Sequence, residues 1–366
     1  MKIIILKNNL KAALDVSGKV ISKNSNLPIL LNILIKTSDS KIKVLSTNLE
    51  IGITYIVSGR VIEDGSITVP YDIFYNIISN ISDERINLEG KNNTLVIKTD
   101  NYEATIQGSS ESEFPIIPKI ERSTSIEINQ EEIKSALDKV ILAAGISDLR
   151  PEINGVFFAI ENSAIKLVAT DSFRLAEARI EKNKFKTNSG EVRFIVPLKA
   201  AQVFSRVMVA EETATFYLDN GQIMAKAGNI EVVSRLVDGK FPDYEAIVPK
   251  TIDTETTLKR SELVNALRLA SSFAAKAREV GARIKDKRIM EIYSSDASIG
   301  DNKYIIPVKS SGPDVQINFN LNYLLDGIQT EDSEDVYIGF NGDSKPVLIK
   351  TPGSGSYFYI LMPIRS

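Results

Sequence analysis

The sequence predicts an α+β protein in which one unit is written three times, and three recurring elements point to it. The segment Lys41–Tyr55 (KIKVLSTNLEIGITY) recurs as Ala164–Ala178 (AIKLVATDSFRLAEA) and, degraded, as Arg288–Asn302 (RIMEIYSSDASIGDN). Anchored on Thr47, Thr170 and Ser294, the copies lie 123 and 124 residues apart. Each is followed by a stretch that reads as a short strand running into a helix: Ile67–Ile78, Phe194–Phe204 and Ile317–Ile328. Each is preceded by an amphipathic helix, in Leu10–Ile21, Ile133–Ala144 and Leu263–Ala274. Their apolar or small residues fall at i, i+3, i+4 and i+7, as in Leu10, Ala13, Leu14 and Ser17.

The remainder of each unit alternates as strands do. Thr94–Gln107 reads as a hairpin with Asp100-Asn101 at its turn, and its counterparts Gln222–Leu236 and Val347–Met362 carry a glycine in theirs. Every third of the chain thus reads strand, helix, strands, helix, strands. Polar stretches near Lys119–Ser125 and Pro249–Glu255 place the boundaries, giving domains 1–121, 122–250 and 251–366. Such repetition reads as a duplication without functional consequence, or as an arc, ring or solenoid in which one rotation recurs at every junction.

Composition narrows the function classes. At 366 residues, and roughly 150 per domain, two or three domains are expected. With 43% hydrophobic and 25% charged residues, and only 20 Gly and 13 Pro, the chain has an ordinary soluble composition. No apolar run approaches the ~20 residues that span a bilayer. The start, Met1–Leu6, runs into the polar stretch Lys7–Lys11 rather than a signal-peptide core, so the cytosol is the expected address and no membrane partner is expected. The absence of cysteine excludes disulfides, thiol nucleophiles and thiolate metal sites. The absence of histidine removes the commonest general base and metal ligand. Mechanisms that use carboxylates alone survive, but no D-x-D pair, P-loop or glycine-rich phosphate cradle supports them. No catalytic residue, metal or cofactor is therefore assigned. A net charge of −3 argues against tight coating of nucleic acid and leaves room for weak, local contact.

Five motifs follow one another along the chain: Leu27-Pro28-Ile29-Leu30, Thr47-Asn48-Leu49-Glu50, Arg150-Pro151 with Asn154-Gly155-Val156, Thr170-Asp171-Ser172-Phe173-Arg174-Leu175-Ala176, and Leu236-Val237-Asp238-Gly239-Lys240-Phe241-Pro242-Asp243-Tyr244. With the ending Leu361-Met362-Pro363-Ile364-Arg365-Ser366, the chain resembles the bacterial DNA polymerase III beta subunit family, the DNA sliding clamps, over residues 1 to 366. The resemblance implies three clamp-fold domains per chain and a head-to-tail homodimer closed into a ring, helices inside and sheets outside. It also implies duplex DNA through the central hole and a clamp loader that opens the ring. The polymerase III alpha subunit and other replication or repair proteins would dock through short linear peptides.

On its own, Thr170–Ala176 reads as a strand end whose Asp171 and Ser172 bond local amides. The resemblance makes Thr170, Ser172, Phe173, Arg174 and Leu175 one wall of a peptide pocket, with Asp171 bracing the turn. Pro242, Ile247 and Val248 read as interdomain packing or, through the resemblance, as the pocket floor with Pro346, Ile360, Met362, Pro363, Ile364 and Arg365. Ser172 has no histidine to activate it as a nucleophile. For DNA the candidates are Lys23, Asn24, Lys199 and Arg206, with Lys11 and Lys139 weaker, against the ordinary reading of solvated helix faces. Two departures from the family stand out: the loop Lys23-Asn24-Ser25-Asn26 lacks an arginine that many relatives carry, and Glu152 stands where an apolar or aromatic residue is common. Apolar residues of a helix in the third domain meet the partner subunit in the family, which points to Phe273; it reads equally as core. The competing functions are a carboxylate-dependent hydrolase or nuclease using residues such as Asp171 and Glu177, and a repeat scaffold unrelated to DNA.

Overall fold

The computed structural model describes residues 1–21, 27–120, 124–147, 149–208, 212–219, 221–274 and 278–364. Three successive stretches repeat one order: strand, helix, five strands, helix, three strands. The first is β1 (Lys2–Leu6), α1 (Lys7–Ser17), β2 (Asn32–Ser38), β3 (Lys41–Thr47), β4 (Ile51–Val57), β5 (Gly59–Glu63), β6 (Gly65–Pro70), α2 (Tyr71–Asn80), β7 (Arg85–Lys91), β8 (Thr94–Lys98) and β9 (Glu103–Gln107). The second is β10 (Thr124–Asn129), α3 (Gln130–Ile141), β11 (Gly155–Ile160), β12 (Ala164–Thr170), β13 (Arg174–Glu181), β14 (Phe185–Thr187), β15 (Val192–Pro197), α4 (Leu198–Val207), β16 (Thr213–Asp219), β17 (Gln222–Ala227) and β18 (Ile230–Arg235). The third is β19 (Thr254–Lys259), α5 (Arg260–Ser271), β20 (Glu279–Lys285), β21 (Ile289–Asp296), β22 (Gly300–Pro307), β23 (Lys309–Ser311), β24 (Val315–Asn320), α6 (Leu321–Gln329), β25 (Asp335–Phe340), β26 (Val347–Lys350) and β27 (Tyr357–Leu361).

Local chemistry explains the element ends. Asn320 caps α6 by accepting the N–H groups of Asn322 and Tyr323. At α3, Asn129 accepts from Glu131 N at 2.8 Å; Glu131 and Glu132 sit in the first turn and Lys139 in the last, each matching the helix dipole. In the first hairpin Thr99 N donates to Tyr102 O at 2.9 Å, with Asp100-Asn101 between them as expected. The first helix of every copy, however, begins three residues before the expected start, because the preceding strand runs into it without a loop. It also ends early. At α1 the chain turns at Gly18, where a Cβ would lie 2.2 Å from Tyr71 Oη, so only glycine fits beneath that ring.

By mutual contact the chain forms two compact units, one of residues 1–134, 183–190 and 199–236, the other of 135–182, 191–198 and 237–366. The first holds a five-stranded sheet (β5-β1-β7-β8-β9) and a nine-stranded one (β14-β10-β16-β17-β18-β4-β3-β2-β6). The second holds a nine-stranded sheet (β15-β11-β12-β13-β27-β26-β25-β19-β23) and a four-stranded one (β22-β21-β20-β24). The middle copy supplies strands to both. In each nine-stranded sheet two copies join by antiparallel backbone pairing: β18 on β4, with Ile230 opposite Tyr55, and β27 on β13, with Leu361 opposite Arg174.

The helix face read from the sequence is the buried one: Leu10, Ala13, Leu14 and Ser17 of α1 are all covered. Leu10, Leu14, Phe74 and Ile78 pack with Ile3, Ile33, Val44, Ile86 and Leu95 in one core. Each such side chain contributes roughly 1.5–3 kcal/mol on burial. Among the described residues no helix is long and apolar enough to cross a membrane.

Candidate peptide-binding site

The turn between β12 and β13 is built by its own side chains. Thr170 Oγ1 donates to Arg174 O at 2.7 Å and accepts from Ser172 N at 3.2 Å. Asp171 Oδ1 accepts from Phe173 N and Arg174 N, each at 2.9 Å, so Asp171 does brace the turn. Ser172 sits at φ +78°, a backbone state that these bonds must hold. The first copy repeats the device: Thr47 Oγ1 bonds Ile51 O and Leu49 N, Asn48 Oδ1 accepts from Glu50 N and Ile51 N, and Leu49 has φ +76°.

The turn presents Phe173, 63% exposed, and aims Arg174 across the site. Arg174 Nε lies 2.9 Å from Asp171 Oδ2 and Nη1 2.6 Å from Asp326 Oδ2. Its guanidinium stacks 4.1 Å from the centre of the Tyr323 ring. Burial alone lowers its proton affinity, but Tyr359, Asp326 and Asp171 reverse that and raise it. The tail closes the same corner. Met362 N donates to Phe173 O and Ile364 N to Asn318 O, both at 2.8 Å. Met362, Pro363 and Ile364 are half-buried rather than frayed, as is Pro346 just before β26.

Beneath the site, Phe241, Tyr244 and Val248 pack on Val168, Leu175, Ile195, Leu348 and Ile360. Pro242 is half-buried and Ile247 is 44% exposed. Leu175 and Ile360, expected among the contact residues, are each only 1% exposed. They lie in the layer that Phe241 and Tyr244 cover. At the rim Arg150 Nη1 donates to Ser172 Oγ at 2.9 Å, and Arg150 Nε lies 3.2 Å from Glu152 Oε1. A backbone hydrogen bond and then Arg150 hold the Glu152 carboxyl below the usual carboxylate range. Arg365 lies outside the described residues.

Of the DNA candidates, Lys199 and Arg206 are exposed on α4 and carry no ion pair among the described residues; Lys11 is partly exposed on α1. Lys139 is otherwise engaged, 2.6 Å from Asp332 Oδ2 and 5.6 Å from the centre of the Tyr357 ring. Lys23 and Asn24 lie outside the described residues. Phe273 lies not on a helix, contrary to expectation, but in the turn after α5, its N–H bonded to Ala270 O at 3.0 Å. It is half-buried and next to β22, since a Cβ on Gly300 would lie 3.9 Å from its ring. The carboxylates of the hydrolase alternative have structural partners, Asp171 its own turn and Glu177 the hydroxyl of Tyr244.

Family models for the DNA polymerase III beta subunit match the chain in order, the N-terminal domain over 1–118, the central domain over 127–243 and the C-terminal domain over 245–365. The chain belongs to the DNA polymerase III beta subunit family. It is 25% identical to the beta sliding clamp of Chlamydia pneumoniae over 369 residues, which covers 100% of this chain and 99% of the relative. The crystal structure of the beta subunit from Thermotoga maritima superposes with a TM-score of 0.93 at 27% identity, over 100% of this chain and 99% of that one. The DNA polymerase sliding clamp from Bacillus subtilis gives 0.93 at 25%, with the same coverage. In this family member, Tyr323 and Asp326 complete the corner around Arg174, yet the sequence did not single them out. Its only signal there was a strand running into a helix, which does not say which helix residue meets β13.

Proposed function

We infer that the chain is a DNA sliding clamp in the cytoplasm: a non-catalytic ring-shaped homodimer, with domains 1–121, 122–250 and 251–366, that encircles duplex DNA. It tethers DNA polymerase III through the alpha subunit, and binds the clamp loader and other replication and repair proteins, through short linear peptides held at the site around Arg174. The observation that carries this reading is the in-order match of all three beta-subunit domains onto three copies of one fold.

The strand edges support the head-to-tail ring. Inside the chain, the fourth strand of one copy pairs with the last strand of the next: β4 with β18 and β13 with β27. The strands left over by that rule are β22 and β9, and each is the terminal strand of its sheet. An antiparallel pairing of β22 with β9 of a second copy, made twice, closes the assembly and uses both edges. Phe273 stands beside β22, where such a seam would form.

The test is retention. After loading, the protein should remain on circular duplex and run off linear duplex of the same length; equal loss from both would overturn the ring. Direct binding to short linear duplex should be weak, with log K falling against log salt at a slope of roughly −3 to −4 for three or four phosphates. Changing Lys199 and Arg206 to alanine should flatten that slope by about 0.9 for each phosphate no longer neutralised. A slope that does not change removes α4 from the DNA surface.

A further inference from the structure

Two separate stretches flank the peptide site: β13 with the turn before it, and residues 237–248, which cross the sheet face formed by Val168, Leu175 and Ile360. The crossing stretch is tied at its start by backbone, Val237 N donating to Ile195 O at 2.9 Å. At its far end, where Tyr244–Ile247 makes a single 3-10 turn, side chains hold it. Lys166 Nζ lies 3.2 Å from Glu245 Oε1, but Glu245 is 67% exposed, and such a pair contributes little. The stronger tie is Tyr244 Oη donating to Glu177 Oε2 at 2.6 Å, a short, part-buried bond to a carboxylate. Glu177 stands on β13 three residues after Arg174, on the same strand face as Leu175.

We propose that Glu177 is a positioning residue of the peptide site: by accepting the Tyr244 hydroxyl it fixes the Pro242–Val248 stretch against β13, and so sets the spacing between Ile247 and the tail. This rests on reading that corner as the peptide site. The charged groups facing Glu177 are Lys166 and Arg179, which favour its ionised form, and Glu245, which opposes it. Burial raises the Glu177 carboxyl above its usual value despite the bond from Tyr244. Burial and then Glu177 push the Tyr244 hydroxyl up, so it stays a donor throughout the working pH range.

The experiment uses the full-length protein and a fluorescent clamp-binding peptide from a DNA polymerase III alpha subunit, read by anisotropy. Tyr244→Phe keeps the ring edge-on to Phe157 and Phe241 and removes one hydrogen bond; Glu177→Ala removes the acceptor. Each should weaken the peptide about fivefold, the worth of one net hydrogen bond. The double variant should be no weaker than either single one. Glu177→Gln should bind like the unaltered protein, because its amide oxygen still accepts. It should also abolish a pH effect. A carboxyl whose folded pKa is raised contributes stability in full below its unfolded value and loses it as pH rises through the folded value. The unaltered protein should therefore lose stability relative to Glu177→Gln on going from pH 4 to 8. Unchanged affinity in Tyr244→Phe and Glu177→Ala, additive losses, or a Glu177→Gln variant as weak as the alanine overturns the proposal. If Glu177→Ala does not fold, Tyr244→Phe and Glu177→Gln decide it. No binding by the unaltered protein overturns the peptide site and the strut together.

Discussion

A chain ending at Leu361 is expected to bind a polymerase-derived peptide at least tenfold more weakly than the full chain, a loss of about 1.4 kcal/mol or more. The cut removes Met362, Pro363 and Ile364, whose backbone is anchored to Phe173 and Asn318, and with them one side of the corner around Arg174. An apolar peptide side chain seated there contributes roughly 1.5–3 kcal/mol when fully buried. Ordering of the peptide offsets part of this, so the intact site should work near micromolar affinity, about −8 kcal/mol. The cut spares β27, whose Leu361 is fully buried, and it touches neither β9 nor β22. The shortened protein should therefore fold, dimerise and encircle DNA. Calorimetry on a folded, shortened protein that shows unchanged affinity would put the site elsewhere.

Single prolines in β9 should separate the seam from the fold. Successive residues of a strand direct their N–H groups to opposite edges, so of Ala104 and Thr105 one donates toward β8 and the other toward the free edge. Proline removes the donor wherever it is placed. One of Ala104→Pro and Thr105→Pro should unsettle the β8–β9 hairpin. The other should leave the domain folded yet shift the protein to monomer at micromolar concentration, with a dimer constant weakened by two orders of magnitude or more, about 2.8 kcal/mol. Light scattering with circular dichroism reads both. Two folded proline variants that both remain dimeric would exclude β9 from the seam.

The parts of this structure that are local in sequence were legible in it. Leu10, Ala13, Leu14 and Ser17 mark a buried face because helix period and burial are the same fact. Thr170 and Asp171 announce a turn because their bonds reach no further than Arg174. What stayed hidden depends on partners far along the chain. Arg174 finds Asp326 across 152 residues, and Tyr244 finds Glu177 across 67. The strand β18 pairs with β17 of its own copy on one side and with β4 of the first copy on the other, and no local pattern carries the second register. The cover over Leu175 stayed hidden for the same reason, since it comes from a layer that starts at Val237.

The turn at Thr47–Ile51 copies the turn at Thr170–Arg174, and the bond that follows is copied too: Arg235 N meets Glu50 O at 3.3 Å as Met362 N meets Phe173 O at 2.8 Å. Duplication thus supplied both copy-to-copy junctions with the beginnings of one groove. At the first junction the position equivalent to Leu175 is Gly52, and Ile117 presses onto it so closely that a Cβ there would lie 2.7 Å from Ile117 Cγ2. Ile117 is in turn packed against Ile120, Met224 and Val233, so that groove is stoppered by its own chain. On the proposed reading of the corner around Arg174 as the peptide site, each protomer would have a valence of one and a closed pair a valence of two. A polymerase held there would leave one berth for a waiting partner, and a third arrival would enter only by displacement.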